Sequence, residues 1–449
     1  MLTRRTFLSS IAATAATFPL SSLTMAHTGI VSASSEGLVP GSTQDQGSAL
    51  QSILDKASSD GKAVFLEPGR YRISNVTLPK NTNLQGVHGS TTLEYAGGEH
   101  FVYSEGAENI SLSGIRLDGG LLPTAGYAES LLRIRDAKQV WIEKCAITNA
   151  AAIGSYISGS SGKFVNNTID SAIGTAAIYA LDNSKFEIAS NTIEECGNNG
   201  ILVHRSSIGE DNTIITSNRI RQISALNGGT GPWGNGINTY RANGVIVNGN
   251  HISDCAFSTI RSNSCSNIQI SDNTCLRVGE TSIYSEFAFE GASITGNIVD
   301  GAALGISIAN FLDGGRLSVC ANNIVRNMHN HIPYPEDGHI HGSGISVEAD
   351  TSVTGNVIEN VPRFGLLLGW GPYLRNVNVN ANVVHRANIG VYVSAVEGVG
   401  PVSIHNNTLS KVKAGGVVGH NWHDVATGDL AAPGARKVAG ISVQNNQVT

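Results

Sequence analysis

Apolar and polar positions alternate along this chain in short runs, and one polar residue recurs among them. In Ile270-Ser271-Asp272-Asn273-Thr274-Cys275 an apolar residue precedes two small or polar ones, an asparagine, any residue and a second apolar one. The same kernel places Asn167, Asn191, Asn218, Asn250, Asn273, Asn297, Asn322, Asn356, Asn382, Asn407 and Asn446. The usual interval is about 24–25 residues, stretched at 218–250, 322–356 and 407–446; a repeat of that length buries its apolar face only by stacking on its neighbours. Each unit supplies three short strands. One ends before the asparagine, and one starts after it, as in Asn356-Val357-Ile358. The third opens about ten residues on with a pair such as Gly200-Ile201, Gly236-Ile237, Gly305-Ile306 or Gly344-Ile345. An all-β, single-stranded parallel β-helix of about 12 coils is expected. The asparagines then form one column at a tight turn. There an asparagine tolerates left-handed backbone and its amide bonds to the coils above and below. Their role is structural.

A different period marks the entry. Leu50, Ile53, Leu54 and Ala57 share one side of a short amphipathic helix at about 46–58. A strand, a Pro-Gly turn and a second strand follow in Gly61-Lys62-Ala63-Val64-Phe65-Leu66-Glu67-Pro68-Gly69-Arg70-Tyr71, with Leu84-Gln85-Gly86 further on. This order resembles the start of pectin-lyase-like right-handed parallel β-helices. The resemblance implies a helix that caps the first coil, whose open backbone edge would otherwise invite pairing.

Thr3-Arg4-Arg5-Thr6-Phe7-Leu8 precedes a mildly apolar run from Ile11 to Leu23, then Thr24-Met25-Ala26. This reads as a twin-arginine export signal over 1–26, cleaved after Ala26. The run is too short for a spanning helix. Residues 27–40 read as a flexible tether and 41–449 as the β-helix. Signal and repeat together are similar to a family of exported repeat proteins within the pectin-lyase-like superfamily, over about residues 40–449. The resemblance implies a periplasmic or secreted protein that meets the twin-arginine machinery. It supplies no catalytic residues. Pectate lyases of this fold carry clustered aspartates for calcium, and none cluster here. Polygalacturonase motifs are absent, apart from a distant echo in Arg133-Ile134-Arg135.

Composition adds limits. The 52 glycines, 6% aromatic and 14% charged residues suit a turn-dense stacked β architecture. A net charge of −6 leaves no basic footprint for nucleic acid. Of six cysteines, Cys145 falls on the ladder position and Cys275 points inward. Cys196 and Cys255 share a column two coils apart, about 9–10 Å, too far for a disulfide. Small buried thiols are expected, and no Cys-x-x-Cys pair suggests zinc.

Solenoids hang function on loops of one face. Insertions at about 119–130, 225–235, 327–343 and 419–437 all flank the Gly-Ile strands, whose outward side chains would floor a groove. If Ile201 points in, Leu202 and His204 point out. The same alternation exposes Asn238 and Tyr240, Arg261 and Asn263, Tyr284 and Glu286, Ser346 and Glu348. Two loop walls four coils apart would stand about 19 Å from each other. Glu286 and Glu348, two coils apart at about 9–10 Å, approach the separation of an inverting glycosidase pair. His204 and Tyr240 are candidates for proton transfer. Asn238, Arg261, Asn263, Tyr284 and Trp233 are candidates for substrate contact, Arg261 through a sugar carboxylate. His329, His331, Glu336, Asp337, His339 and His341 form a weak divalent-metal candidate, with no cofactor required. His420, His423 and Asp424 are weaker still. The expected partner is a polysaccharide or oligosaccharide, cleaved by a lyase or hydrolase or simply bound. A structural envelope role, with an oligomer through the last coil, is the other alternative.

Overall fold

The computed structural model of the chain describes residues 29–334 and 341–449. The twin-arginine segment lies outside them. The strands form three parallel columns over about 13 turns. The first column holds 16 strands, from Ile30–Ser32 to Ile441–Gln444. The second holds the strands after the ladder asparagines, and the third the Gly-Ile strands.

Register follows from which side chains must be buried. Ile201, Ile237, Ile260, Ile283, Ile306, Ile345, Leu366, Val391 and Val417 pair coil to coil, all with no exposure. A slip of one residue would turn this whole stack to solvent. Glycine precedes seven of these nine, Thr259 and Ser282 standing before Ile260 and Ile283, and the glycine has its own cause. A Cβ on Gly200 would sit 2.4 Å from the Gly236 carbonyl oxygen, and one on Gly305 equally close to that of Gly344.

The asparagine ladder is present, with two corrections. Asn273 Nδ2 donates to Asn297 Oδ1 (3.0 Å) and to the Val247 carbonyl (3.0 Å), while its Oδ1 accepts both nitrogens of Asn250. The rung between Asn297 and Asn356 is Asn323, not Asn322. Asn322 is the exposed residue before it. Left-handed backbone falls on that preceding position, in Ser190, Ser217, Asp272 and Asn322, rather than on the ladder residue. The turn needs one residue for the bend and the next for the buried amide. Cys145 occupies a rung, donating its N–H to Asn167 Oδ1 (2.9 Å). Cys196, Ile223 and Cys255 share a column, and all six thiols are free and buried.

The helix Gly47–Ser59 buries Leu50, Ile53, Leu54 and Ala57. The tether reading fails over residues 29–40. Ile30–Ser32 pairs parallel with Ala63–Phe65, and Ala33 and Leu38 are buried. The open edge of Ala63–Phe65 offers backbone partners that a short β-branched run can take. The last insertion is a hairpin rather than a loop: Thr408–Asn421 turns back as antiparallel Asp424–Asp429. The Asp429 carboxylate accepts N–H groups from Gly416 (2.7 Å), Val417 (3.0 Å) and Ala431 (2.9 Å). The hairpin thus covers the edge of the third column.

Candidate functional site

The outer face of the third column carries the outward residues the alternation predicts. Leu202, Asn238, Arg261, Tyr284, Ser307 and Ser346 pair in one row, and His204, Tyr240, Asn263 and Glu286 in another. The first row continues upstream through Tyr179, Tyr156, Arg133 and Tyr103.

At its centre Arg261 clasps Glu286 through two hydrogen bonds, Nε to Oε1 (2.7 Å) and Nη2 to Oε2 (3.0 Å). Asn263 Nδ2 adds a longer one (3.3 Å), and the guanidinium lies 4.7 Å from the Tyr284 ring centroid. Glu280 sits on the other side of Arg261, Nη1 to Oε2 at 3.7 Å. Arg261, Glu280 and Glu286 are all buried. Burial pushes the Glu286 carboxyl up against the pull of Arg261, and it pushes the Tyr284 hydroxyl up as well. Burial also opposes the Arg261 charge, but Glu286 and Glu280 outweigh it and hold the guanidinium above its ordinary value.

Sequence reasoning missed Glu280. It stands at the loop-to-strand junction rather than on the alternating strand, so side-chain alternation never reached it. It also removes the open gap expected between the walls. Thr230 of the 225–235 loop donates to Glu280 Oε2 (2.7 Å), and Tyr334 of the 327–343 loop donates to Oε1 (2.8 Å). The two walls therefore meet at one carboxylate instead of standing about 19 Å apart. Asn238 is buried and reaches the Gly231 carbonyl (3.4 Å), and the Trp233 carbonyl accepts from Asn235 (3.0 Å). Both belong to the base of the first loop.

Glu348 lies two coils from Glu286, across Leu304–Ile308, but faces a different partner. Its Oε2 accepts the Phe311 N–H (2.6 Å) of the short turn Phe311–Asp313. Burial raises its carboxyl to about 7, with the Phe311 and Asn310 N–H groups acting against the shift. Among the described residues no hydrogen bond joins Glu286 and Glu348.

His204 lies between the rings of Tyr179 (5.3 Å) and Tyr240 (5.6 Å), edge to face with both. Its Nε2 is buried without a hydrogen-bond partner, and burial lowers its pKa to about 4. Tyr156 and Tyr179 stack at 4.6 Å, and Arg133 lies 3.7 Å above Tyr156. This ring column was not singled out from sequence, although Tyr156 and Tyr179 obey the same alternation.

Of the metal candidate, His329, His331 and His341 lie among the described residues. Glu336, Asp337 and His339 lie outside the described residues. His331 is exposed, His341 is buried, and His329 is half-buried. Among the described residues no group of three or more His, Cys, Asp or Glu side chains is placed to hold a metal ion.

The right-handed beta helix region family matches residues 62–231 and 151–324, more than half of the chain. No curated protein matches the sequence. Solved structures of similar fold include the catalytic unit of a thermostable GH87 alpha-1,3-glucanase from Streptomyces thermodiastaticus. It is 15% identical with a TM-score of 0.52, and the match covers 85% of this chain but only 65% of the glucanase. PfbA, a surface adhesin of Streptococcus pneumoniae, is 16% identical with a TM-score of 0.50, covering 93% and 99% of the two chains. Family match, three-column stacking and asparagine ladder agree: the chain belongs to the right-handed β-helix family.

Proposed function

We propose that this is an exported protein that binds a polysaccharide along the outer face of the third column. The observation that carries the reading is the outward row from Tyr103 through Arg133, Tyr156, Tyr179, Leu202, Asn238 and Arg261 to Tyr284. Rigid rings and fixed donors held in register suit an extended ligand laid across successive coils. A glucanase on a like frame is consistent with that use.

The geometry favours binding over hydrolysis by the Glu286 and Glu348 pair. Glu286 has both oxygens engaged by Arg261, and Glu348 is turned to the Phe311 backbone. Titration calorimetry of the full chain with neutral and uronate polysaccharides tests this. The reading expects saturable binding without new reducing ends or enone absorbance. It also expects Tyr179→Ala and Tyr240→Ala to weaken binding about tenfold, on the order of 1.4 kcal/mol. No binding to any polysaccharide would overturn it.

One observation favours a second reading, hydrolysis with Glu348 as general acid: its carboxyl is raised to about 7 and keeps its proton near neutrality. Reducing ends formed by the wild type and lost in Glu348→Gln would establish that reading. Export through the twin-arginine pathway belongs to the same proposal, resting on Arg4 and Arg5. Replacing both by lysine is expected to retain the chain in the cytoplasm, and undiminished export would reject it.

A further inference from the structure

The carboxyl-terminal end of the same face has a different chemistry. Outward residues there are apolar: Phe364, Leu367, Ile389, Tyr392 and Val418 pack together outside the coil interior. Phe364 stacks on Tyr392 (4.2 Å), and Tyr392 on the fully buried His420 (4.4 Å). Trp370 follows the strand Val357–Leu368, and Trp422 forms the tip of the hairpin between Thr408–Asn421 and Asp424–Asp429.

Trp422 is held in an unusual way. Its backbone is left-handed (φ 54°), a strained state for a bulky residue. Its ring lies on Gly371, where an added Cβ would come within 2.4–2.7 Å of three ring atoms, so a larger residue would unseat it. Trp370 meets it at 83° with centroids 5.8 Å apart, and His423 meets Trp370 at 71° and 4.7 Å. Trp422 nevertheless stays 43% exposed. An indole serving only as a cover would bury more of itself, and a mobile one would need no seat. Strain, a glycine seat and a perpendicular neighbour together fix an aromatic face toward solvent.

We propose that Trp422, seated on Gly371 and braced by Trp370, is a stacking platform for a neutral pyranose, with Asn421, His423 and Asp424 at the sugar's hydroxyl rim. A pyranose presents one face of C–H bonds, apolar and slightly positive, which complements the electron-rich face of an indole. Asn421, His423 and Asp424 are exposed around it. The hairpin carries Asp424 and Asp429 but no lysine or arginine from Ala414 through Ala435, so it offers a uronate no cation of its own; Arg363, from the neighbouring strand, lies over the Phe364 ring (5.4 Å). The seat Gly371 follows the strand four coils from Arg261 and Trp422 follows the strand six coils from it, about 19–29 Å away, so the platform is a separate subsite that only a chain of several sugars would share.

This inference rests on the glycan reading and is tested so that the two fail separately. The full chain is titrated calorimetrically with α-1,3- and β-1,4-linked glucose hexasaccharides and with a galacturonate hexasaccharide. A glucose hexasaccharide is expected to bind better than the galacturonate. Trp422→Ala is expected to weaken it at least tenfold and Trp422→Phe only a few-fold, each with an unchanged melting temperature, while Gly371→Ala, strained at φ 54° as well as crowded by the ring, weakens it comparably at a somewhat lower melting temperature. Trp141→Ala, an equally exposed tryptophan on the first column, serves as the control and is expected to bind as the wild type does. Wild-type affinity in Trp422→Ala together with loss in Tyr179→Ala rejects the platform and leaves the groove standing. Preference for galacturonate that depends on Trp422 also rejects it. Absence of binding by the wild type to any hexasaccharide rejects both.

Discussion

Asn322 and Asn323 show how much a single position along a turn decides. Asn323 Nδ2 donates to the Ile294 carbonyl (3.0 Å) and to Asn356 Oδ1 (3.0 Å), and its Oδ1 receives Asn297; Asn322 bends the chain at φ 58° and is exposed. Asn323→Ala is expected to cost about 1–3 kcal/mol, since it strands buried donors and acceptors in three coils. Asn322→Gly should be neutral or slightly stabilising, because glycine takes the left-handed state freely. Denaturant melts of the two variants check the pair. Titratable residues give a second prediction. Glu348 ionises near 4.5 when unfolded and near 7 when folded, so the folded state holds a proton that the unfolded state has lost. Its contribution therefore falls as pH rises through that window, by up to about 3 kcal/mol. His204 and His420 shift the other way, from 6.5 to about 4. The unfolded chain takes up their protons first, so stability falls as pH drops from about 6.5 toward 4. Melts across pH should show Glu348→Gln flattening the alkaline side of this window, and His204→Asn with His420→Asn flattening the acidic side. Unchanged pH profiles would contradict both assignments.

Among the elements, the two insertion loops matter most. Thr230 and Tyr334 come from loops on different coils, yet both donate to Glu280. Removing both hydroxyls with Thr230→Val and Tyr334→Phe should speed amide exchange in 225–235 about tenfold or more, given about 1.5–3 kcal/mol for a bond to a charged group. Exchange in the coil strands should stay as it was, and equal protection of the loop would refute the latch. This part of the site was not legible in the sequence. Strand residues carry a period of two, which tells inward from outward, and that rule placed Arg261, Tyr284 and Glu286 correctly on the outer face. Loop residues have no period. Nothing in the order of residues aims Thr230 or Tyr334 at a junction residue such as Glu280. The tether misreading has a similar origin, because Ile30–Ser32 becomes a strand only through an edge contributed by Ala63–Phe65.

At the scale of the molecule, the asparagine repeat acts as a ruler. It sets the register of about 13 turns, and that register gathers side chains from distant coils into rows. The fold was legible because each coil repeats the same local rule. Pairing among outward side chains was not, because it depends on which rotamers meet across coils: Glu286 turned toward Arg261 rather than toward Glu348. The face divides accordingly. Its upstream half offers tyrosines and arginines, its centre a latched ion cluster, and its far end a seated tryptophan. The most direct test is hydroxyl-radical footprinting of the full chain with and without a saturating polysaccharide that it binds. The account predicts protection of Tyr103, Tyr179, Tyr240 and Trp422 on the third-column face, with Trp141 on the first column labelled equally in both states. Protection centred on Trp141, or no protected residue on the third column, would contradict it.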